Sequence, residues 1–413
     1  MRVLHVNKFL YRRGGAEAYM FDLAQLQTAA GDEVAFFGMD HPDNEPMPYA
    51  RHFPSYVEFQ QPSMPLRSKI RASGRMLYSR SAETGMEAVL ADFRPHAVHL
   101  HNIYHQLSPS ILRPLAKRDL PSVMTLHDYK LACPTYQFLD HGHLCQACLG
   151  GHFYHATTHR CKDGSLANSL LATIESYAHG ITHAYSPVKL FIAPSRFLRD
   201  QMTAARVFPE RMRLVNHFID ADSIEPKTEA GRGFVFAGRL SNEKGVDVLI
   251  QAVGREPALT LDILGEGPVR PALERLAAEV APGRVRFRGR LDKASVHAAM
   301  RSAVAVVVPS RWYENQPVTI LEAFACGVAV IGTSLGGIPE LVNHGVNGYT
   351  VPADDPAALA KRMGELRDNL RDELEMGRAA RALVVSEHAP QRHLARISEL
   401  YGEAGSRTGA LVG

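Results

Sequence analysis

The stretch VAVVVPSRWYENQPVTILEAFACGVAVIGT, residues 304–333, gives the most direct indication of how the chain folds. Two runs rich in Val, Ile and Ala enclose a segment whose apolar residues have helical spacing, and a proline and a glycine mark the ends of that segment. Apolar runs that do not alternate with polar residues are typical of strands buried on both faces. The stretch therefore predicts a strand–helix–strand unit in a parallel sheet.

The same alternation of apolar runs and helical segments extends over both halves of the chain. The other strand-like runs are RVLHV, EVAFFG, HAVHLHN, PSVMTLHD and LFIAPS in the first half, and GFVFAGRL, LTLDILGEG, VRFRG and NGYTV in the second. A chain of 413 residues is too long for one ordinary core. We therefore predict two doubly wound α/β domains, over residues 1–218 and 219–387, with a polar join that contains Pro and Gly.

Charge and hydropathy narrow the class of protein. The 46 Lys and Arg nearly balance the 43 Asp and Glu, giving a net charge of +3, so a nucleic-acid binder is not expected. No apolar run approaches the roughly 20 residues needed to cross a bilayer, and the apolar run at the N-terminus is too short for a signal peptide. These features predict a cytoplasmic protein.

One basic stretch stands out against this balance. RSKIRASGRMLYSR begins at Arg67, ends at Arg80 and contains no acidic residue. It is interpreted either as a solvated helix face or as a patch for an anionic membrane or acceptor. The second interpretation would place the protein peripherally at the inner face of the membrane.

Polar side chains follow several strands, where an open α/β sheet places its ligand crevice. After FVFAG comes RLSNEKG, which sets Arg239 and Lys244 between the end of a strand and the start of a helix. Two cations beside a helix N-terminus suit a diphosphate, although Arg and Lys are also ordinary surface residues at such positions.

Two further strand ends carry candidate ligand groups. His127 follows an apolar strand and is adjacent to Asp128, which could orient or polarise it, although a histidine can also simply turn the chain after a strand. Gly265 and Gly267 follow LTLDIL, where the missing side chains indicate either close approach of a flat base or a tight strand-to-helix turn.

The segment ENQPVTILE sets two carboxylates around the beginning of a helix. Glu314 lies at its entrance and Glu322 about one turn inside, so both face the same crevice. The free N–H groups from Gln316 to Thr319 would point at an anion. Such a segment can accept the hydroxyls of a ribose and a sugar while the helix end holds phosphate.

GRLSNEKG followed by ENQPVTILEAFACGVAVIGTSLGGIPELV closely resembles the retaining glycosyltransferases of family 4, and the resemblance covers nearly the whole chain. It implies the GT-B fold, in which two Rossmann-like domains face each other across a cleft. It also implies that the amphipathic helix over 388–405 crosses back to the first domain.

The resemblance assigns roles residue by residue. Arg239 and Lys244 would hold the diphosphate of the sugar donor, and Glu322 its ribose. Glu314 and His127 would meet the transferred sugar, so the expected catalytic set is His127, Glu314, Arg239 and Lys244. The other residues expected to contact the sugar donor are Gly14, Gly15, Gly265, Gly267, Arg288, Asn315, Gln316, Pro317, Val318 and Thr319. His101 and Asn102 are expected on the acceptor side.

The implied activity is transfer of a sugar, of the hexosyl type, from a UDP- or GDP-linked donor to a glycan or lipid-linked acceptor, in bacterial cell-surface polysaccharide or glycolipid synthesis. No metal is expected in catalysis, because the cations and the helix end can stabilise the leaving diphosphate.

Two rival functions remain. An epimerase or hydrolase of the same fold would act without an acceptor, and a non-catalytic protein would only bind the nucleotide sugar. A dinucleotide oxidoreductase is not expected, because NKFLYRRGGAE lacks the G-x-G-x-x-G turn.

Four of the five cysteines lie between residues 133 and 161. Cys133, Cys145, Cys148 and Cys161 are separated by eleven, two and twelve residues. The pattern indicates a structural zinc site, with an iron–sulfur cluster and unligated thiols as alternatives. The segment is interpreted as an insertion beside the acceptor side of the cleft, where a metal would supply order that a small core cannot.

Overall fold

A computed structural model describes residues 1–56 and 74–407 of the chain. The described residues form two α/β units, each built on a six-stranded sheet in which every strand pair is parallel. The predicted α/β class with two doubly wound domains is confirmed.

The first unit consists of eight described strands and six described helices. The strands are β1 (Arg2–Val6), β2 (Glu33–Phe37), β3 (Ala97–Leu100), β4 (Ser122–Thr125), β5 (Leu139–Asp140), β6 (His143–Leu144), β7 (Leu190–Ala193) and β8 (Met212–Leu214). The helices are α1 (Gly15–Ala29), α2 (Arg80–Phe93), α3 (Leu112–Lys117), α4 (Tyr154–Thr158), α5 (Leu166–Ile181) and α6 (Arg196–Ala204). Strands β5 and β6 form a separate antiparallel hairpin between β4 and α4.

The second unit follows the same scheme and ends in two long helices. Its strands are β9 (Phe234–Ala237), β10 (Leu261–Leu264), β11 (Val285–Gly289), β12 (Ala305–Val308), β13 (Ala329–Thr333) and β14 (Gly348–Val351). The helices after residue 245 are α7 (Val246–Arg255), α8 (Arg270–Val280), α9 (Lys293–Ser302), α10 (Val318–Ala325), α11 (Ile338–Leu341), α12 (Pro356–Asp368), α13 (Leu370–Glu387) and α14 (Pro390–Ser406). Short 3-10 turns lie at Ala50–His52, Pro109–Ile111, Leu149–Gly151, Pro209–Arg211 and Asn242–Lys244.

The order of the strands locates the ligand crevice. It is β2-β1-β3-β4-β7-β8 in the first sheet and β11-β10-β9-β12-β13-β14 in the second. In the first sheet the strands from β3 onward lie on the opposite side of β1 from β2, and in the second sheet those from β12 onward lie on the opposite side of β9 from β10. The strand order thus reverses between β1 and β3 and between β9 and β12. In open α/β sheets ligands bind at the carboxyl ends of the strands beside such a reversal. The loops after β1, β3, β9 and β12 are therefore the ones to examine for a site.

Burial explains why the central strands are apolar throughout. Every residue of β3, β4, β7, β12 and β13 is buried, because helices cover both faces of each sheet. The edge strand β11 has no fully buried residue and alternates exposed with partly exposed positions. The continuous apolar runs of the sequence therefore mark the middle of each sheet.

The last helix, α14, packs on the first unit although it follows the second in sequence. Ile397, Leu400 and Ala404 are fully buried in one apolar cluster with Val3 and Leu190 of the first sheet. The chain therefore crosses between the units and ties its C-terminal part to the sheet that its N-terminus begins.

The basic stretch from Arg67 to Arg80 is described only in part, because residues 67–73 lie outside the described residues. Arg75 donates to the hydroxyls of Ser55 and Ser81 at 3.2 and 3.1 Å, and Arg80 is the first residue of α2. Of the helices in the described part of the chain, none has the length and apolar character that a bilayer span requires.

Candidate functional site

The reversal of strand order in the second sheet brings together two of the predicted residues. Lys244 follows β9 and Glu314 follows β12, and the Lys244 Nζ to Glu314 Oε1 distance is 2.7 Å. The Ser310 hydroxyl donates to the same carboxylate at 2.6 Å, and Glu314 is only 6% exposed. Burial by itself would raise the pKa of Glu314, but the ammonium of Lys244 and these hydrogen bonds hold it below its ordinary value. Glu314 is therefore a buried carboxylate.

Arg239, the second predicted cation, lies at the rim of the same crevice. Its side chain is 66% exposed and pairs with Glu243 at 2.7 Å, while the Ser241 hydroxyl also donates to Glu243. Both cations thus have carboxylate partners, and an incoming anion would meet a site whose charges are already balanced.

Two helix N-termini face each other between the units. Helix α10 begins at Val318 after its cap residue Pro317, and α1 begins at Gly15 after Gly14. Neither helix has a side-chain cap, so the backbone N–H groups of both first turns point outward from the helix ends. A Cβ on Gly15 would come within 3.9 Å of a methyl group of Val318. The two ends therefore lie close together, and each offers N–H groups and a positive helix dipole to an anion bound beside them.

Asn315 and Gln316 hold the two units together through their side chains. The Asn315 amide donates to the Leu126 carbonyl at 2.9 Å and accepts from the Ser195 hydroxyl at 3.0 Å. The Gln316 side-chain oxygen accepts the backbone N–H of His217. These amides were expected to contact the sugar donor, and their side chains also bridge the units. The buried side-chain nitrogen of Gln316 has no hydrogen-bond partner among the described residues, so it remains able to donate to a ligand.

Glu322 lies in the second turn of α10 and is partly exposed. Its carboxylate is 3.7 Å from Nε2 of the nearly buried His297, on α9. A partly exposed carboxylate inside the crevice is compatible with the predicted ribose contact.

Close backbone packing accounts for the glycines after β10. A Cβ on Gly265 would lie 1.9 Å from the Gly238 oxygen, and one on Gly267 would lie 2.0 Å from the Leu240 oxygen. The tight-turn interpretation thus has a direct steric cause. Arg288 is exposed at the end of β11 and pairs with Asp262 at 3.0 Å.

Five histidines stack at the carboxyl ends of the first sheet's strands. Ring centroids of successive neighbours lie 4.5–5.8 Å apart in the set His5, His99, His101, His127 and His217. Burial lowers the pKa of all five, to about 4 for His5 and about 3 for His127. They are therefore neutral imidazoles near pH 7.

Hydrogen bonds connect this stack in one direction. The Gln27 amide donates to the Tyr401 hydroxyl at 3.1 Å, and its oxygen accepts from Nε2 of His5 at 2.7 Å. Nδ1 of His5 lies 3.1 Å from Nε2 of His101, and Nδ1 of His101 lies 3.1 Å from Nε2 of His127.

The oxygen of Gln27 fixes the position of each proton in that chain. A neutral imidazole has one N–H and one lone pair, so the partner of one nitrogen determines the role of the other. His5 carries its proton on Nε2 and accepts at Nδ1, and His101 and His127 follow the same pattern. Proton counting thus leaves the half-buried His127 with an unprotonated Nδ1.

His101 was expected to meet an acceptor, and the structure corrects this expectation. Its side chain is 0% exposed and lies between His5 and His127, so it reaches the cleft only through His127. The backbone N–H of Asn102 donates to Asn7 at 3.0 Å, which ties the loops after β1 and β3 together. All ring nitrogens of these three histidines already have hydrogen-bond partners: His5 and His101 bond each other, and His99 bonds Tyr401 and Thr125.

Sequence reasoning missed a lysine near Asp128, the neighbour of His127 in sequence. Lys8 follows β1, and Asp128 and Glu17 interact with it electrostatically. Burial lowers the pKa of Lys8 and raises that of Asp128. The position of Lys8 directly after RVLHVN was the available signal, since the same strand-end rule that selected His127 applies to it.

The four clustered cysteines lie in the segment between β4 and α5, outside the crevice. None of the five cysteines forms a disulfide. Cys326 is fully buried at the end of α10 in the second unit.

Comparison with known families matches both units. A family model described as Glycosyltransferase Family 4 matches residues 13–223, and one described as Glycosyl transferases group 1 matches residues 231–369.

Among curated proteins, the phosphatidyl-myo-inositol mannosyltransferase of Mycolicibacterium smegmatis is 34% identical over 174 residues, which are 41% of this chain and 44% of that protein. The D-inositol 3-phosphate glycosyltransferase of Thermobispora bispora is 28% identical over 252 residues, 55% of each chain. The chain thus spans about half the length of the curated relatives it matches.

Solved structures resemble the whole chain. Sucrose-phosphate synthase from Thermosynechococcus elongatus superposes with a TM-score of 0.73 at 19% identity, covering 98% of this chain and 99% of the other. At this identity the likeness shows the fold, and it agrees with two facing α/β units around a cleft.

Proposed function

The chain belongs to glycosyltransferase family 4, and on that premise we propose that it moves a sugar, of the hexosyl type, from a nucleoside diphosphate sugar to a glycan or lipid-linked acceptor. The observation that carries this proposal is the meeting of Lys244, Glu314 and the open start of α10 at the strand-order reversal of the second sheet. A cation, a helix N-terminus and a buried carboxylate within one crevice suit a ligand that is anionic at one end and rich in hydroxyls at the other.

The facing ends of α1 and α10 support the diphosphate assignment. A diphosphate bound beside the adjacent helix ends at Gly15 and Val318 would receive backbone N–H groups from both units at once. Lys244 and Arg239 would add positive charge. Lys244 would replace part of its contact with Glu314 by a contact with a phosphate oxygen, and Arg239 would do the same with its contact to Glu243. Binding would thereby draw the two units together.

The chemistry follows from where charge develops. In the transfer, the bond between the anomeric carbon and the β-phosphate oxygen breaks, and the electron pair leaves with the nucleoside diphosphate. The acceptor oxygen forms the new bond to the anomeric carbon, and its proton passes to the departing phosphate. Lys244, Arg239 and the start of α10 stabilise the growing negative charge, which is usually the largest contribution to catalysis. Retention of the anomeric configuration is part of the proposal and rests on the family resemblance.

His127 would contribute as a hydrogen-bond acceptor. Because its Nε2–H donates a hydrogen bond to His101, its Nδ1 lone pair can accept a hydrogen bond from a hydroxyl of the transferred sugar. A neutral imidazole in this role adds no charge next to the positive character that develops on the sugar.

Relatives guide the choice of substrates to test. HepE of Anabaena was solved in complex with UDP and superposes with a TM-score of 0.68 at 19% identity, covering 98% of this chain and 100% of that one. The name of the mycobacterial relative includes an inositol lipid and a mannose. We therefore propose a UDP- or GDP-linked hexose and a glycan or lipid-linked acceptor in cell-surface polysaccharide or glycolipid synthesis, at the cytoplasmic face of the membrane.

A panel of nucleotide sugars screened by thermal unfolding tests the sugar-donor site. A ligand at 100 times its Kd stabilises the folded state by about 2.7 kcal/mol, which corresponds to a rise in Tm of several degrees. Lys244→Met should abolish the rise, and Lys293→Met, at an exposed position of α9, should keep it. Absence of a shift with every nucleotide sugar would contradict the proposal.

Product analysis separates transfer from the rival activities. Release of nucleoside diphosphate that depends on an added acceptor supports a transferase. Release without acceptor would indicate a hydrolase or epimerase, and binding without release would indicate a binding protein.

A further inference from the structure

Helix α5 (Leu166–Ile181) is inverted relative to an ordinary surface helix, in which apolar residues face the core and polar residues face solvent. Its buried residues are Ser169, Ala172, Thr173 and Glu175, three of which are polar. Four large aliphatic side chains of the helix are exposed instead, namely Leu166 by 53%, Leu170 and Ile174 by 46% and Ile181 by 77%. Polar burial and aliphatic exposure in the same helix indicate that its outer side has a partner.

The four exposed side chains form one stripe along the helix, which we call the α5 stripe. At about 100° per residue, Leu166, Leu170, Ile174 and Ile181 lie within an arc of about 80°. All residues of this helix are described, and Glu175 is the single Asp, Glu, Lys or Arg among them. Its carboxylate is buried on another side, so the stripe carries no charge. Contiguous exposed apolar surface of this kind marks an interaction site.

Buried polar contacts hold the helix in this orientation. Glu175 lies 2.7 Å from Lys130 Nζ and 3.0 Å from Nδ1 of His105. The Thr173 hydroxyl donates to the Phe153 carbonyl at 3.2 Å. Rotating the helix to bury its aliphatic side would break these bonds and leave buried polar groups unpaired. The fold of the first unit therefore turns the α5 stripe outward.

Cations and a tyrosine lie near the start of α5. The backbone N–H of Lys162 donates to a hydroxyl of its first turn at 2.9 Å, and Arg160, two residues earlier, is exposed. The ammonium of Lys162 is 3.8 Å from Asp163, so Arg160 supplies the excess charge. The exposed Tyr154 donates its backbone N–H to the Tyr177 hydroxyl of α5 at 3.2 Å.

A similar set of groups lies near the end of α5. A histidine in its last turn lies 3.3 Å from the Leu77 carbonyl, which brings the described end of the basic stretch against the helix. Tyr78 and Arg80 follow within three residues and are both exposed. Arg113 donates to the Tyr78 hydroxyl at 2.7 Å, and that hydroxyl donates to Glu83. Cations thus outnumber carboxylates at both ends of the stripe.

We propose that the α5 stripe docks on the surface of an anionic lipid bilayer, with its four aliphatic side chains in the apolar layer and the flanking cations among the headgroups. An aliphatic helix face bordered by cations and tyrosines is the pattern of a helix that lies in the membrane interface. The 16 residues of α5 are fewer than the roughly 20 that cross a bilayer. A protein partner would instead require about one hydrogen bond per 100–200 Å² of interface, and the stripe offers no group to make one.

The opposite side of α5 contacts the loops of the crevice. Lys130 follows β4 and donates its backbone N–H to Asp128 at 2.9 Å, and His105 follows β3. One helix diameter, about 10 Å, therefore separates the docked stripe from these loops. On the premise of the proposed function, a lipid-linked acceptor would reach the cleft while its lipid remained in the bilayer.

Sedimentation with vesicles tests the docking. The wild-type chain, without nucleotide sugar, should pellet with vesicles of equal parts phosphatidylcholine and phosphatidylglycerol. Leu170→Glu/Ile174→Glu should weaken this binding by about tenfold or more, because it removes apolar area from the contact. Val346→Glu/Leu370→Glu, at two similarly exposed aliphatic positions of the second unit, should bind as the wild type does. Absence of wild-type binding, or equal binding by the two double variants, would overturn the proposal.

The contribution of the cations is measured with the same vesicles. Arg80→Gln and Arg160→Gln should each weaken binding by about fivefold, as expected for a cation near an anionic surface. Vesicles of phosphatidylcholine alone should bind the wild type more weakly. Equal binding to neutral and anionic vesicles would overturn an anionic bilayer as the partner.

Analytical ultracentrifugation distinguishes a bilayer from a second copy of the chain. Concentration-dependent dimers of the wild type that are lost in the Leu170/Ile174 variant, without vesicle binding, would overturn the proposal in favour of a second copy. If circular dichroism shows that the glutamate variant does not fold, Leu170→Gln/Ile174→Gln takes its place with the same expected loss of binding. These measurements use neither sugar donor nor acceptor, so their failure would leave the thermal-shift test of the sugar-donor site unaffected.

Discussion

Lys244 and Glu314 are seventy residues apart in sequence and form a hydrogen-bonded ion pair in the folded chain. Their pairing changes the role expected of both residues. Each was expected to contact a ligand, yet each is already compensated by the other before any ligand arrives. The pair is both a structural contact and a part of the crevice, because the carboxylate is buried and its lysine partner is partly exposed.

In the Lys244→Met variant, the free energy of unfolding should fall less than in wild type as the pH is lowered. The pKa of Glu314 lies below its ordinary value of 4.5, so its stabilising contribution is present above about pH 4.5 and is lost as the pH falls through the lowered value. Without Lys244 the buried carboxylate loses its cation, and the free energy of unfolding at pH 7 should fall by about 1–3 kcal/mol.

Urea unfolding at pH 7 and pH 4 measures this effect, with Lys293→Met as the control for loss of an exposed cation. An equal pH dependence in wild type and the Lys244 variant would contradict the pairing.

Gln27 sets the direction of the hydrogen bonds along the histidine chain, so Gln27→Leu should remove that constraint on the tautomers. His5 would lose the acceptor of its Nε2 proton, and His127 would then populate both neutral tautomers. We expect a lower kcat with little change in KM, and a loss of about 1–3 kcal/mol in stability from the unpaired buried groups.

Nitrogen-15 chemical shifts of labelled histidines report the tautomers directly. Gln25→Leu, an exposed position two residues earlier on α1, serves as the control. Unchanged imidazole shifts in the Gln27 variant would show that the tautomers have another origin.

At the scale of elements, helix α14 belongs to the apolar core of the first unit and also takes part in the hydrogen bonds of the histidine stack. The Tyr401 hydroxyl receives the Gln27 amide and lies 2.8 Å from Nδ1 of His99. The helix therefore connects the C-terminal part of the sequence to the histidine stack through this buried hydroxyl, and its His393 bonds the hydroxyl of Tyr19, whose ring packs against the same stack.

Tyr401→Phe should destabilise the chain by about 1–3 kcal/mol, because it leaves two buried polar groups without that partner. Glu399→Ala, which removes an exposed ion pair with Arg396 on the same helix, should change the free energy of unfolding by less than about 1 kcal/mol. Equal effects of the two variants in urea unfolding would contradict the role of the hydroxyl.

Helix α5 is fixed to the loop after β4 by a buried ion pair. Glu175 lies 2.7 Å from Lys130 Nζ and 3.0 Å from Nδ1 of His105. Burial opposes the charge on Glu175, but these partners lower its pKa to about 2. The contribution of the carboxylate is thus complete above about pH 4.5 and is lost as the pH falls toward 2.

Glu175→Leu should cost about 3–5 kcal/mol, since it leaves the Lys130 ammonium buried without its carboxylate. The double variant Lys130→Met/Glu175→Leu should recover most of that loss, because two apolar side chains can replace a buried pair. Failure of the double variant to improve on the single one, measured by urea unfolding at pH 7, would show that the pair is needed for packing.

At the scale of the whole molecule, a carboxylate of the second unit caps the N-terminus of a helix in the first. The backbone N–H groups of Arg196 and Phe197, at the start of α6, donate to the Glu340 carboxylate at 2.8 and 2.7 Å. Asn315 adds a contact to Ser195, the cap of the same helix. Beside the crevice the units are therefore held by these polar contacts and by the packing of Tyr313 on Phe197. Contacts of this kind between domains allow them to move relative to each other.

Glu340→Ala should weaken this contact, because a carboxylate at a helix N-terminus contributes about 0.3–1 kcal/mol. Small-angle X-ray scattering of the ligand-free protein should show a larger radius of gyration in the variant than in wild type. Glu387→Ala removes an exposed carboxylate of the second unit and should leave the radius unchanged. No difference between the two variants would contradict the proposed role of Glu340.

Most of the fold could be predicted from the sequence, because hydrophobic periodicity is a local property. The run over residues 304–333 already indicated its buried strands and the helix between them, and the observed β12, α10 and β13 lie within it. The individual residues Lys244 and Glu314 could also be selected, since strand ends are visible in the sequence. Their mutual contact could not be predicted, because it depends on which strands become neighbours.

The sequence by itself was enough to indicate two parallel α/β domains, the strand ends that carry polar groups, and a segment with four clustered cysteines. Folding in three dimensions was required to place Lys244 against Glu314, to bury His101 behind His127, and to turn the Asn315 and Gln316 amides into bridges between the units. It also connected Gln27 and Tyr401, which are 374 residues apart, to the same histidines. The physical reason is that periodicity reports whether a side chain is buried, whereas hydrogen bonds, ion pairs and proton positions depend on which distant side chain shares the buried space.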